Sequence, residues 1–281
     1  MKKILALLLA LVMVFALAAC GESSSDPSSD PGTATSGEPS ASGDNVIKIG
    51  VFEPLTGDSG AGGKQEYLGM QYANYLTPTV EVGGVEYTVE LVPADNASSA
   101  DRAPTAAAQL VSEEVSIVLG TYGSSAAIAA GPTFEQAQIP AIGVTCTNPQ
   151  VTEGNEYYFR ICFLDPFQGT VLANYAIDQL GASKAYLLGE LGNEYDNGLM
   201  NYFEEAFTAL GGTVVKDNFP TNNSDFTSYL NKAVSEQADV IFCPVSIAYS
   251  TQIVAQAKSM GYETTILGSD TLDNNTVLEA A

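Results

Sequence analysis

The sequence predicts an α/β protein of two lobes, each a mostly parallel sheet flanked by helices. From residue 46 onward, short apolar segments alternate with amphipathic helical segments, as is typical of parallel sheets covered by helices on both faces. About nine strands are expected, which is more than one small sheet needs. The alternation pauses near residues 157–166. We therefore divide this part of the chain into lobes at 46–163 and 164–281.

The elements of the first lobe follow from their apolar patterns. A first strand is predicted over 46–51, and a helix over 64–77, where apolar residues recur at helical spacing and form one apolar face. These residues are Leu68, Tyr72, Tyr75 and Leu76. The other elements predicted in this lobe are strands at 87–92, 116–120 and 140–143 and helices at 103–111 and 126–137.

The second lobe repeats this rhythm. Its first helix is predicted over 168–180, and Gly181 is a natural residue to end it. A clear amphipathic helix follows over 199–210 and ends at Gly211 and Gly212. The remaining predicted elements are strands at 184–189, 213–216, 239–243 and 264–268 and helices at 226–233 and 249–260.

The N-terminal residues 1–19 have the layout of a secretory signal peptide. Lys2 and Lys3 precede the apolar run 4–19, and small residues lead into Cys20. The alternative is a transmembrane anchor, but the run is shorter than the roughly 20 residues that span a bilayer. Residues 20–45 are rich in Ser, Pro and Gly and lack large apolar side chains. This composition predicts a disordered linker.

Charge and composition exclude several classes of function. The net charge is −23, and it becomes −25 once Lys2 and Lys3 are removed with the signal peptide. Such an acidic chain is repelled by nucleic acids and by anionic membrane surfaces. It contains no histidine, which excludes Ser-His-Asp triads, Cys-His dyads and histidine-ligated zinc. A nucleophile elbow and a phosphate-binding loop are also missing from the sequence. We therefore expect neither an enzyme nor a cofactor.

Three cysteines remain once Cys20 is assigned to the N-terminal processing site. Cys146, Cys162 and Cys243 lie in apolar stretches without a CxxC spacing, so neither a metal site nor a redox pair is indicated. We expect buried, unreactive thiols. One disulfide among them remains open.

Two loops that follow predicted strands carry hydroxyl groups. Residues 120–125 lead into a helix through Ser124 and Ser125, and residues 143–149 contain Thr145 and Thr147. Ligands of parallel sheets bind beyond the carboxyl ends of the strands, and a helix start offers free N–H groups with a partial positive charge. Such a site suits a small anion, for example a carboxylate. Ordinary helix capping is the alternative explanation for the serines.

Several short motifs in order along the chain carry a resemblance to a known family. They are Ile47-Lys48-Ile49-Gly50, Pro54-Leu55-Thr56-Gly57, Gly123-Ser124-Ser125, Thr147-Asn148-Pro149, Tyr158-Phe159-Arg160 and Ala209-Leu210-Gly211-Gly212. Over residues 47–281 the chain resembles the type I periplasmic binding proteins of the branched-chain amino acid group, which are solute receptors of ABC importers. This resemblance implies that family's two-lobed fold.

The resemblance also implies roles for individual residues. Ser124, with Ser125 beside it, would bind the ligand α-carboxylate, and Thr147, with Thr145 nearby, would contact the carboxylate and the ammonium. The remaining implied ligand residues are Asp270 for the ammonium, Tyr195 closing from the second lobe, and Tyr122 lining the side-chain pocket. A zwitterion needs donors at one end and an acceptor at the other, because a buried unpaired charge is costly.

The N-terminal junction resembles a bacterial lipobox, in which the cysteine is lipidated and the chain is cut before it. The combined resemblances imply a receptor anchored by lipid on Cys20 to the outer face of a membrane. It would bind an amino acid or related zwitterion and deliver it to ABC permease subunits. A ligand-sensing lipoprotein that signals to a receptor or a sensor kinase is the alternative, and a surface enzyme is a distant third.

The chain departs from the family pattern in two respects. Gly60-Ala61-Gly62-Gly63 replaces a common aromatic residue, and no tyrosine occurs near Ser246. The pocket is therefore expected to differ, which leaves other amino acids, short amides and urea-like solutes open. Family members also usually continue beyond the position of Ala281 to complete the first lobe. The resemblance thus implies a fragment with an incomplete first lobe.

Overall fold

The computed structural model describes residues 45–281, which fall within one compact unit. The predicted signal peptide, the predicted lipidation site at Cys20 and nearly all of the predicted linker lie outside the described residues. Ten strands in two sheets and eight α-helices make up the described part of the chain. None of those helices combines the length and the apolar character needed to cross a bilayer.

The first sheet contains six strands in the order β2-β3-β1-β4-β5-β6. All neighbouring pairs are parallel except β2 and β3, which form an antiparallel hairpin. The strands are β1 (Val46–Glu53), β2 (Thr79–Val82), β3 (Val85–Asp95), β4 (Ile117–Leu119), β5 (Ala141–Gly143) and β6 (Tyr158–Arg160). The helices connecting them are α1 (Gly60–Leu76), α2 (Ala103–Ser112) and α3 (Ser124–Ala137).

The second sheet contains four parallel strands in the order β10-β9-β7-β8. They are β7 (Lys184–Glu190), β8 (Thr213–Phe219), β9 (Val240–Phe242) and β10 (Thr265–Leu267). The helices of this half are α4 (Asp165–Asp178), α5 (Glu194–Ala209), α6 (Thr227–Ser235), α7 (Ile247–Ser259) and α8 (Asn275–Ala280). The predicted α/β fold of two mostly parallel sheets flanked by helices is thus confirmed.

Each sheet buries apolar side chains against its helices. In the first lobe, Phe52 and Phe134 meet edge to face at 5.5 Å within a core that also contains Leu110. In the second lobe, Phe203 stacks on Phe242 at 4.4 Å on one face of the sheet. A separate aromatic cluster covers the opposite face and contains Phe219, Phe226 and Tyr249. Burial on both faces explains why strands such as β7 are nearly continuous apolar runs.

Two of the ten strands, β2 and β6, are not predicted from the sequence. The hairpin of β2 and β3 turns at Gly83 and Gly84, both at positive φ, and a Gly-Gly pair between β-branched residues is a recognised hairpin signal. Strand β6 has only three residues, and its partner β5 is equally short. Strand β6 buries only Tyr158 and ends in Arg160, so it lacks the apolar run that marks the other three-residue strands.

The apolar face predicted for the helix after the first strand was wrong. Helix α1 exists, but it begins at Gly60 rather than at residue 64, and its predicted apolar residues are exposed. They are Leu68 at 64%, Tyr72 at 62%, Tyr75 at 79% and Leu76 at 61% exposure. The buried residues of α1 are instead the glycines of its first turn. A Cβ at Gly62 would overlap the ring of Tyr122, and one at Gly63 would overlap Pro54. Close packing through glycine therefore fixes the orientation of α1.

Candidate functional site

A cavity of about 60 Å³ lies where the carboxyl ends of strands from both sheets face each other. Six of the seven predicted ligand residues line it: Tyr122, Ser124, Ser125, Thr145, Tyr195 and Asp270. Thr147 does not line it, because its side chain is turned into the interior and is 1% exposed. The cavity is far smaller than the roughly 300 Å³ of a typical drug-sized pocket.

The first wall of the cavity is the start of helix α3. Gly123 precedes the helix at φ 110°, a conformation that glycine adopts without steric cost. The Ser124 side chain is fully buried and accepts a hydrogen bond from the Asn148 N–H at 3.1 Å. The Ser124 hydroxyl can therefore donate its own proton toward the cavity. The N–H groups of the first helical turn add to this donor wall.

The opposite wall carries a carboxylate and a phenol. Asp270 follows β10, and its Oδ1 lies 2.5 Å from the Tyr195 hydroxyl oxygen. The Asp270 N–H donates to Gln168 Oε1 at 2.8 Å. Burial, together with the nearby Asp270 carboxylate, raises the pKa of Tyr195 well above its ordinary value. Tyr195 therefore stays neutral and acts as a hydrogen-bond donor. Asp270 follows β10 and Tyr195 lies on helix α5, so both belong to the second lobe. The wall from the second lobe is acidic, because it carries the Asp270 carboxylate, whereas the wall from the first lobe offers hydrogen-bond donors.

The two lobes contact each other directly at this cavity. The Ser125 hydroxyl oxygen accepts a hydrogen bond from the Glu194 N–H at 2.9 Å and lies 3.2 Å from Asn193 Oδ1. The Asn148 side-chain amide donates to the Glu194 carbonyl at 2.9 Å. Asn193 also accepts from the Tyr195 N–H at 3.1 Å and so caps helix α5. Ser125 and Asn148 of the first lobe thus dock on the start of α5.

The contacts of Asn148 and Asn193 between the lobes are not predicted from the sequence. Asn148 belongs to the quoted motif Thr147-Asn148-Pro149, and its side chain also caps a short 3₁₀ helix over Pro149–Val151. Asn193 stands directly before a first turn that contains the acidic residues Glu194 and Asp196, and an asparagine in front of such a turn is a sequence signal of an N-cap. Both signals indicate a cap, but neither indicates that the same residues join two lobes.

Two buried carboxyl groups, those of Glu53 and Glu66, contact the cavity residues Tyr122 and Thr145. Glu53 is fully buried at the end of β1, and its Oε2 accepts a hydrogen bond from the Tyr122 N–H at 2.8 Å. Glu66 of α1 accepts a hydrogen bond from the Thr145 hydroxyl. Burial raises the pKa of both groups, and the neighbouring Glu66 raises that of Glu53 further. Burial therefore favours the protonated form of these carboxyl groups. Glu53 contacts Tyr122 and Glu66 contacts Thr145, so the pair supports two residues of the cavity.

The three cysteines of the described residues are free, and two of them are buried. Burial raises the pKa of Cys146 and of Cys243 to about 12, so both thiols are protonated at neutral pH. No group of three or more metal-ligating side chains occurs within residues 45–281.

Comparison with known proteins identifies the family. A family model described as periplasmic binding protein matches residues 46–281. An amino acid binding protein of Pseudomonas aeruginosa is 29% identical over 228 residues, which cover 80% of this chain and 60% of the relative. The Leu/Ile/Val-binding protein homolog 3 of Brucella melitensis is 29% identical over 231 residues, which cover 81% and 62%. The chain therefore spans about three fifths of the length of these curated relatives.

Solved structures agree with this match. The leucine binding protein LivK of Thermotoga maritima is 34% identical with a TM-score of 0.79, and the match covers 83% of this chain and 66% of that protein. The substrate binding protein LivJ of Streptococcus pneumoniae, solved with isoleucine, is 29% identical with a TM-score of 0.75, covering 84% and 67%. These relatives are substrate-binding proteins rather than enzymes. The chain belongs to the periplasmic binding protein family.

Proposed function

We propose that this protein is the solute-binding component of an ABC importer and that it binds a small amino acid between its lobes. The observation that carries the proposal is the opposition of a donor wall and an acidic wall across one small cavity. A zwitterionic amino acid presents a carboxylate and an ammonium a few ångströms apart. Each charge would meet a complementary wall, which avoids the cost of burying it unpaired.

The residue roles in this proposal follow from the chemistry of each wall. Ser124, Ser125 and the N–H groups that begin α3 would hold the ligand carboxylate. The Asp270 carboxylate would accept a hydrogen bond from the ligand ammonium, and Tyr195 would close over the ligand. Thr145 and Tyr122 would line the side-chain pocket. Thr147 would contribute its backbone or require a rotated side chain, since its hydroxyl does not face the cavity.

The class of solute is proposed from the relatives and from the cavity. The relatives are named for amino acids, leucine, isoleucine and valine, and one was solved with isoleucine. The hydroxyl groups and the carboxylate that line the cavity suit the carboxylate and ammonium that all these solutes share. We further propose that lipid on Cys20 holds the protein on the outer face of the membrane, where permease subunits would receive the ligand.

Isothermal titration calorimetry on the full chain tests this function. We expect binding heat with at least one member of a panel containing glycine, L-alanine, L-valine, L-leucine, L-isoleucine, acetamide and urea. Ser124→Ala and Asp270→Asn should each weaken binding about tenfold or more, because each removes a charge-assisted contact. The matched controls are Ser112→Ala and Asp178→Asn, whose residues are exposed and lie outside the cavity.

Two results would argue against the proposal. One is the absence of binding heat with every solute in the panel. The other is a loss of affinity in the control variants equal to that in Ser124→Ala and Asp270→Asn, which would indicate that the cavity plays no part.

A further inference from the structure

The cavity wall contains a second carboxylate besides that of Asp270. Asp196 lies in the first turn of helix α5, lines the cavity and is 1% exposed. Its Oδ2 accepts a hydrogen bond from the Glu190 N–H at 2.8 Å. Its Oδ1 is buried and accepts no hydrogen bond from any other residue within 45–281. One carboxylate oxygen of a residue in the cavity wall is therefore left for a donor that enters the cavity.

No cation of the described residues balances the Asp196 carboxylate. The four ion pairs within residues 45–281 involve other carboxylates, and neither lysine nor arginine is among the residues that line the cavity. Burial raises the pKa of Asp196 well above its ordinary value, the hydrogen bond from the Glu190 N–H opposes this, and the Glu190 carboxylate adds to it. An ionised carboxylate buried without a partner is costly. A cation on the ligand would supply that partner.

A larger cleft, here called the side cleft, opens beside the cavity and shares part of its wall. It has a volume of about 460 Å³, and its charged lining residues are Asp58, Asp101 and Glu190. The residues that line both the cavity and the side cleft are polar: Ser59, Ser98, Ser125, Asn193 and Ser246. Within residues 45–281 no lysine or arginine lines the side cleft either. The side cleft is therefore negatively charged and attracts a cation.

The cavity offers little contact to an aliphatic side chain. Among the described residues that line it, the only ones with an apolar side chain or ring are Ala126, Tyr122 and Tyr195. The others are Gly123 and residues with hydroxyl, amide or carboxylate groups. A leucine side chain would take water from these groups without replacing its hydrogen bonds. The lining therefore favours a ligand side chain that donates hydrogen bonds.

We propose that the solute is a cationic α-amino acid, with a side chain that ends in an ammonium or guanidinium group, and that Asp196 binds this group. The inference rests on the proposed function and specifies its solute. The α-carboxylate meets the donor wall at Ser124, and the α-ammonium meets Asp270. The side chain passes Tyr122 and reaches Asp196, and the side cleft accommodates the longer members of the class. The two cations of the ligand thus pair with the two carboxylates of the cavity, so that neither stays buried unpaired.

Calorimetry of the full chain with two matched pairs of solutes tests this proposal. L-lysine is compared with L-norleucine, which lacks only the terminal ammonium, and L-arginine is compared with L-citrulline, whose ureido group has a similar shape and no charge. The wild type should bind the charged member of each pair about tenfold or more tightly, as expected for a charge-assisted contact.

Variants assign this preference to one residue. Asp196→Asn keeps an oxygen that can accept the Glu190 N–H, and it should remove most of the preference for the charged solutes. The control Asp178→Asn, at an exposed position outside the cavity, should retain the preference in full. A purely structural Asp196 would instead weaken the binding of both members of a pair equally.

A crystal structure of the wild type with L-lysine tests the assignment independently of whether Asp196→Asn folds. The side-chain nitrogen of the ligand should lie within hydrogen-bond distance of the Asp196 carboxylate, and any other position would contradict the role of Asp196. Equal affinities within both pairs, or a preference that Asp196→Asn retains in full, would overturn the inference and leave the proposed function intact. Absence of binding heat with these four amino acids and with the whole panel above would overturn both.

Discussion

Replacing Asn148 by aspartate tests whether contact between the lobes sets ligand affinity. Asn148 is 3% exposed and does not line the cavity. Its Oδ1 caps a 3₁₀ helix by accepting the Gln150 N–H at 2.9 Å, and aspartate preserves that acceptor. Its Nδ2 donates to the Glu194 carbonyl across the lobes at 2.9 Å. Asn148→Asp removes this donor and places a buried carboxylate oxygen against the carbonyl.

The magnitude follows from that single contact. The lost hydrogen bond costs about 0.5–1.5 kcal/mol net, and burying a carboxylate against a carbonyl adds to this cost. Glu194 is exposed, so water can hydrogen-bond to its carbonyl and offset part of the loss. A destabilisation of the form with the lobes in contact by at least about 1 kcal/mol weakens the apparent affinity by at least about fivefold. The ligand contacts themselves are unchanged.

Two measurements check this prediction. Calorimetry should report the weaker affinity, and small-angle X-ray scattering of the ligand-free variant should report a larger radius of gyration than that of the wild type. Asn174→Asp is the matched control, because Asn174 Nδ2 also donates to a backbone carbonyl, that of Thr170 at 2.8 Å, but within helix α4. If Asn148→Asp matches the wild type in both measurements, the contact does not control closure and the reasoning fails.

Two further predictions concern stability. Glu53→Gln should stabilise the fold at neutral pH. Because the pKa of Glu53 is raised in the folded state, the folded state loses stability relative to the unfolded chain as the pH rises above the ordinary value of 4.5. This loss is at most about 1.4 kcal/mol per pH unit, and glutamine, which does not ionise, avoids it. Thermal unfolding should show a gain that is absent near pH 4 and grows toward pH 7; a constant gain or a loss at pH 7 would contradict it. Phe203→Ala should cost about 3–5 kcal/mol in chemical denaturation, because Phe203 is fully buried between Phe207 and Phe242. The control Leu191→Ala, at a site 67% exposed, should change the free energy of unfolding by less than about 0.5 kcal/mol, and an equal effect of both would refute the assignment of the core.

The fold could be predicted because its signal is periodic and repeated. Alternation of strands and helices predicts parallel sheets without knowledge of any contact. The face of helix α1 could not be predicted in the same way. Its apolar stripe at Leu68 and Tyr72 is exposed, and its packing face is made by Gly62 and Gly63. Glycine has no apolar side chain, so periodicity does not reveal that it is buried.

The candidate site could be predicted in part for a topological reason. Ser124, Thr145 and Asp270 each follow the carboxyl end of a parallel strand, and such ends gather at one edge of a sheet. Glu53 was missed because an acidic residue in a sequence usually means a solvated surface position. Its burial depends on which elements pack over it, and that requires the tertiary structure.

The most direct test of recognition at both ends of the ligand compares how the Ser124→Ala and Asp270→Asn variants bind a complete ligand and a truncated one. The dissociation constants of L-leucine and of 4-methylpentanoate, which lacks the ammonium, are measured for the wild type and both variants. We predict that Ser124→Ala weakens the binding of both compounds. Asp270→Asn should weaken the binding of L-leucine about tenfold or more and should not weaken the binding of 4-methylpentanoate. Equal losses for the two compounds in Asp270→Asn would contradict the assignment of the acidic wall to the ammonium.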